Sequence, residues 1–145
     1  MRALIQRVTE AQVVIDGNTV AAIGPGLLVL LAIQQGDDER RGDSMAERLV
    51  AYRIFADEQD RMNRDVRAAG GGILLVSQFT LAADTTRGLR PSLSSAAAPA
   101  LAERLYDYVV ERLRQLHSPV QTGRFAARMQ VGLINDGPAS FLLET

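Results

Sequence analysis

A chain of 145 residues, 47% hydrophobic and 23% charged, has the composition of an ordinary globular protein and enough length for one domain spanning residues 1–145. It has no cysteine, which excludes disulfides, thiolate zinc sites and a cysteine nucleophile. The net charge of −1 points to no nucleic acid by itself, and the longest apolar run, residues 26–33, falls short of the ~20 residues of a membrane-spanning helix.

Residues 2–8 and 11–15 read as two short strands separated by Thr9 and Glu10, the second rich in β-branched side chains. Asp16, Gly17 and Asn18 form a hairpin turn, and residues 19–23 return as the partner strand. After Gly24-Pro25-Gly26 comes an unbroken apolar stretch, residues 27–33, the mark of a strand buried on both faces. Ser44 and Glu47 fit a capping box for a helix that turns Met45, Leu49, Val50 and Tyr52 to one face; a start near Asp37, with Gly42 inside the helix, is the alternative. Residues 54–56 are extended and residues 57–67 are charged and loop-like. Gly70-Gly71-Gly72 opens a second buried strand, residues 73–76, which breaks into Ser77-Gln78-Phe79-Thr80 where the chain leaves the core. Residues 82–95 read as an irregular loop. Residues 99–116 read as a helix with Pro99 in the first turn and Leu101, Leu105, Val109, Leu113 and Leu116 on one stripe. Two final strands, residues 129–134 and 140–143, are joined by Asn135-Asp136-Gly137-Pro138. This order implies an α+β fold with largely antiparallel β-sheets and two helices packed on one side.

The end of a buried strand is a place to mount a binding site, although a plain turn would use the same residues 77–80. His117, the only histidine, sits at a helix end, where it reads as a solvated cation rather than a catalytic base. Asp57-Glu58-Gln59-Asp60 reads as a solvated loop ahead of a cation site, and nothing in the sequence calls for a metal or other cofactor. The three glycines precede a strand, whereas a phosphate cradle follows one. Three routes remain for an enzyme: backbone N–H groups near Phe79 and Thr80 acting as an oxyanion hole, Thr80 as nucleophile, or a reactive hydroxyl brought by the substrate. All 16 basic residues are arginine; residues 61–128 hold ten of them against five acids, and residues 1–60 six against ten. The basic middle points to an anionic partner.

Ser77-Gln78-Phe79-Thr80-Leu81, taken with Asn135-Asp136-Gly137-Pro138, resembles the D-aminoacyl-tRNA deacylase family. Residues 1–8, Arg53-Ile54-Phe55, Met62-Asn63, residues 87–92 and Thr122-Gly123-Arg124-Phe125 resemble further segments of it, in order and over essentially the full length. The chain departs from the family pattern at Ala139-Ser140 (usually Val-Thr), Ala126 (usually Gly), Arg61 (usually Lys) and Leu93 (usually Phe).

The resemblance implies a cytoplasmic, cofactor-free homodimer that hydrolyses the ester joining a D-amino acid, or mischarged glycine, to the 3′ end of tRNA. It implies that Ser77, Gln78, Phe79 and Thr80 line a pocket at the dimer interface, with N–H groups around Phe79 polarising the ester carbonyl. A cis Gly137-Pro138 peptide would reach into the partner's pocket, hold the amino group and exclude L-side chains. Met129 would lie near the adenine, and Arg87, Arg90, Arg124 and Arg128 would contact tRNA phosphates. The terminal 2′-hydroxyl would assist hydrolysis. A non-catalytic RNA-binding dimer is the alternative.

Overall fold

The computed structural model describes residues 1–145. In chain order the elements are β1 (Arg2–Ile15), β2 (Asn18–Ile23), β3 (Gly26–Ala32), α1 (Glu39–Ala51), β4 (Phe55–Ala56), β5 (Met62–Arg64), β6 (Gly72–Ser77), α2 (Pro99–Leu116), β7 (Val120–Thr122) and β8 (Gln130–Glu144). The main sheet runs β2-β1-β3-β6-β7, with β8 on the other edge of β1; β4 and β5 form a separate hairpin. This is an α+β architecture.

β1 is one continuous strand of 14 residues rather than two short ones. The reason is β8, which pairs antiparallel with it from Arg2 to Val14 and resumes the ladder at Glu10 after a register shift that leaves Thr9 unpaired. Sequence patterning registers the interruption but not the partner that bridges it. β3 pairs with the first half of β1 and β2 with the second half. The β1–β2 turn places Asp16 at φ 49° and Gly17 at φ 78°, as a tight hairpin needs.

The centre of the sheet is parallel, which qualifies the antiparallel expectation. β3 pairs parallel with β6, and β6 with β7. Each parallel step requires a crossover, supplied by α1 and then by α2. β7 itself, only three residues long, carries no pattern that marks it in the sequence.

α1 begins at the earlier of the two alternatives. Asp38 is the N-cap and its carboxylate accepts from the Arg41 amide at 2.9 Å, so Ser44 lies inside the helix and caps nothing. Gly42 is tolerated there because the helices approach closely: an added Cβ would stand 3.1 Å from the Tyr108 ring of α2. Residues 57–67 are likewise not all loop, since Met62–Arg64 pairs with Phe55–Ala56. Asp57 shapes that turn. Its carboxylate accepts from the Gln59 and Arg61 amides at 2.8 and 3.0 Å and from the Asn63 side chain at 2.7 Å. These bonds, the Arg61 amide first, hold it below the usual carboxylate range.

Alternation along β3 and β6 divides the interior. Leu27, Val29, Leu31, Ile73 and Leu75 face both helices, packing on Met45, Leu49, Leu105, Val109 and Leu113. Leu28, Leu74 and Val76 face the other way, against Val8, Ala11, Val13, Ala21 and Ile23 of the β1–β2 arm, which curls back over the sheet. Both faces of the central strands are therefore covered, which is why they read as continuous apolar runs.

One buried ion pair ties the chain end to this core. The Met1 ammonium lies 2.7 Å from Asp37, and neither side chain is exposed. Asp37 also accepts from the Gln34 amide at 2.7 Å and from Arg41 at 3.2 Å. Asp37→Ala is expected to cost about 3–5 kcal/mol, because it leaves a buried ammonium with the Thr145 carbonyl at 3.1 Å but no counter-charge. Urea unfolding checks this; a midpoint unchanged from the parent would refute it.

Candidate functional site

β6 ends at Ser77, and the chain turns at once into a single 3-10 turn, Phe79–Ala82. The Gln78 amide donates to the Leu31 carbonyl at 2.8 Å, continuing the pairing with β3 for one more step. The N–H groups of Phe79 and Thr80 are the first donors of the 3-10 turn and have no acceptor within it. Phe79 is 58% exposed despite its apolar ring. The site thus sits outside the carboxyl end of the central parallel strand, the position α/β sheets favour for ligands.

A pocket of about 470 Å³ opens there, walled by Val76, Ser77, Gln78, Phe79, Phe125 and Met129, with Ala96 and Ala97 opposite. Three of the four residues of the Ser77–Thr80 group line it, and so does Met129. Thr80 does not; its hydroxyl is taken up by the Gln78 side chain. Phe125 is fixed from behind by Tyr106, whose ring lies 6.0 Å away and whose hydroxyl donates to the Leu75 carbonyl at 2.8 Å. Burial pushes the Tyr106 phenol far above its ordinary range, so it stays a donor. Ala126, another wall residue, holds φ 57°, a conformation glycine adopts more readily.

His117 lies at the other end of the molecule. Its Nε2 is 2.8 Å from the Gly71 carbonyl, just before β6 begins, and the ring is half-buried rather than solvated. The length of β6 separates it from the pocket by roughly 20 Å. No imidazole serves this site, and Thr80 has no base beside it.

Arg87, Arg90, Arg124 and Arg128 are all exposed and none makes an ion pair with a carboxylate of the chain. Arg124 and Arg128 flank the wall residues Phe125, Ala126 and Ala127. Arg87 and Arg90 sit on the loop leaving the 3-10 turn, closed at its neck by paired Asp84–Ser92 backbone bonds of 2.8 and 2.9 Å. The loop returns at Ala96 and Ala97, which line the pocket.

Gly137 and Pro138 do not line this pocket. They lie on β8, and the segment is not the reversal between two strands that the sequence suggests. β8 keeps its direction over 15 residues, and the segment bulges out of the ladder with β1. The Gly137-Pro138 peptide is cis, as is Ser118-Pro119. Two side chains that sequence reasoning missed hold the bulge. Arg7 donates to the Asp136 carbonyl at 3.0 Å and to the Ile54 carbonyl at 2.6 Å, and pairs with the Asp136 carboxylate at 3.2 Å. Asn135 accepts from the Ala139 amide at 2.6 Å. The available signal for Arg7 was a charged residue inside a strand of buried neighbours; its side chain is only 15% exposed.

The pocket thus lies at a strand end beside a 3-10 turn, with exposed, unpaired guanidiniums on the segments next to it and no imidazole nearby. By comparison with known proteins, the chain belongs to the D-Tyr-tRNA(Tyr) deacylase family, whose model matches residues 4–144. It is 57% identical over 144 residues to proteins named D-aminoacyl-tRNA deacylase from Escherichia coli O1:K1 / APEC and Shigella boydii serotype 18, with 99% of each chain covered. Among solved structures it is similar to one titled c-Myc DNA Unwinding Element Binding Protein, at 36% identity and TM-score 0.96 over 100% of this chain and 99% of that one. It shares its fold with a probable eukaryotic D-amino acid tRNA deacylase at 15% identity and TM-score 0.80, covering 98% and 97% of the two chains.

Proposed function

We propose that this chain hydrolyses the ester between a D-amino acid and the 3′ end of tRNA, and does so in the cytoplasm as a single-domain homodimer without a cofactor. Water adds to the acyl carbon, the bond from that carbon to the ribose oxygen breaks, and the departing oxygen takes a proton. Free amino acid and tRNA leave. The observation that carries the reading is the strand end itself: the Phe79 and Thr80 N–H groups open the 3-10 turn with no acceptor inside it, and Phe79 lines the pocket. Such donors stabilise the oxyanion that forms as the carbonyl is attacked. With no base at hand, the terminal 2′-hydroxyl assists the proton transfers. Ser77, Gln78 and Phe79 position the ester, Met129 the adenine, and Arg87, Arg90, Arg124 and Arg128 the phosphates.

The dimer is supported by β8. It pairs on one side only, with β1, and presents Leu133, Ile134 and Leu142 at 36, 54 and 53% exposure. Gly137 and Pro138 are exposed and outside the pocket of their own chain, which leaves them free to enter a partner's. Their backbone holds the amino group and excludes L-side chains by collision, so D-side chains of any size are accepted.

Hydrolysis of D-Tyr-, Gly- and L-Tyr-charged tRNA tests this. D-Tyr and Gly esters are expected to be cleaved, and L-Tyr to resist. Glycine has no side chain to collide, so sparing of Gly-tRNA would overturn steric exclusion. Salt-dependent binding without turnover would instead support a protein that only binds nucleic acid.

A further inference from the structure

We propose that Asn135 is the positioning residue that sets the shape of the Gly137-Pro138 bulge, and through it the discrimination between D- and L-aminoacyl esters. The inference rests on the deacylase reading above. The bulge is poorly determined by its own backbone. Between the ladder pairs Val8↔Asn135 and Gln6↔Ser140, β8 carries residues 136–139 against Arg7 alone, so these residues have no partner in register. Pro138 brings no N–H. Ala139 is 4% exposed, so its N–H must find an acceptor inside the protein.

Asn135 meets that need. Its Oδ1 accepts the Ala139 N–H at 2.6 Å, and its Nδ2 donates to the Ser140 hydroxyl at 3.0 Å and to the Ala139 carbonyl at 3.4 Å. One side chain therefore spans the bulge from its first ladder residue to both residues at its far end. Gln6 Nε2, 3.3 Å from the same hydroxyl, steadies Ser140 from β1. Arg7 binds only the near end, at Asp136. A filter that works by collision requires main chain that does not yield. Without Asn135 the Ala139 N–H is buried and unpaired, and the bulge relaxes to satisfy it.

The test compares the parent with Asn135→Leu, similar in size but without hydrogen bonds, and Asn135→Asp, which keeps the acceptor for Ala139. Asn135→Leu is expected to lower the D/L ratio of kcat/KM for Tyr-tRNA by about tenfold, the scale of one lost internal hydrogen bond to a buried donor. Cleavage of the L-ester should rise while that of the D-ester falls. Asn135→Asp should stay within about threefold of the parent. Amide exchange reads the clamp directly: Ala139 should exchange faster in Asn135→Leu, with Ala3 and Leu143 of the adjoining ladder unchanged. A folded Asn135→Leu protein with the parental D/L ratio overturns the inference and leaves the deacylase reading standing. So does Asn135→Asp losing selectivity as fully as Asn135→Leu. A parent that cleaves neither ester overturns the deacylase reading, and unchanged exchange at Ala139 would independently refute the clamp.

Discussion

Gly137→Ala is expected to reduce hydrolysis of D-Tyr-tRNA by about 100-fold in a protein that stays folded, the effect of displacing a substrate-holding group by roughly 1 Å. Gly137 holds φ 137°, where an L-side chain is strained. An added Cβ would stand 2.9 Å from an Arg7 guanidinium nitrogen and 3.1 Å from the Ala139 amide nitrogen. A guanidinium is the end of a flexible chain, but this one is tied to the Asp136 and Ile54 carbonyls and cannot swing away without losing those bonds. The methyl group therefore moves the bulge. Gly137 is exposed and lies outside both hydrophobic clusters, so stability should change far less than rate. Single-turnover hydrolysis, with thermal unfolding as control, decides it. Parental turnover would mean that this backbone does not touch the substrate.

Gly26→Ala should be the most destabilising of the glycine substitutions. β3 and β6 begin their parallel ladder at the pair Gly26↔Gly72, and the Gly72 amide donates to the Pro25 carbonyl at 2.9 Å. A Cβ on Gly26 would fall 2.0 Å from the Gly72 carbonyl oxygen and 2.7 Å from its nitrogen. Both atoms are main chain and cannot rotate aside, so the strands must part. The cost is expected to reach about 3 kcal/mol or more, the upper range of overpacking in a tight core. Gly24→Ala is the control: a Cβ there meets nothing within 4 Å, and the change should stay within about 0.5 kcal/mol. Urea unfolding of the two variants measures the contrast; equal midpoints would contradict the close approach.

Much of this protein was legible in its residues. The stripe from Leu105 to Leu113 marked α2, the unbroken runs in β3 and β6 marked strands covered on both faces, and the polar break at Ser77 marked where the chain leaves the core beside a pocket. These signals are local, because a repeat of two or 3.6 residues records which side of an element is buried. Resemblance of short segments pointed to the family, which the full-length match established.

What the sequence could not determine depends on partners far along the chain. β1 and β8 are each continuous because each bridges the other's irregularity, and neither reads as one strand alone. The central strands are parallel because α1 and α2 carry the chain back across the sheet, which an apolar run does not record. His117 is bound rather than solvated because Gly71, 46 residues earlier in the chain, lies beside it. A charge within an apolar strand at Arg7, and a motif position at Asn135, do not say which atoms either side chain holds. Only tertiary structure brings Arg7 from β1 to a bulge 129 residues away, where a buried amide and free carbonyls need side-chain partners that the ladder does not supply.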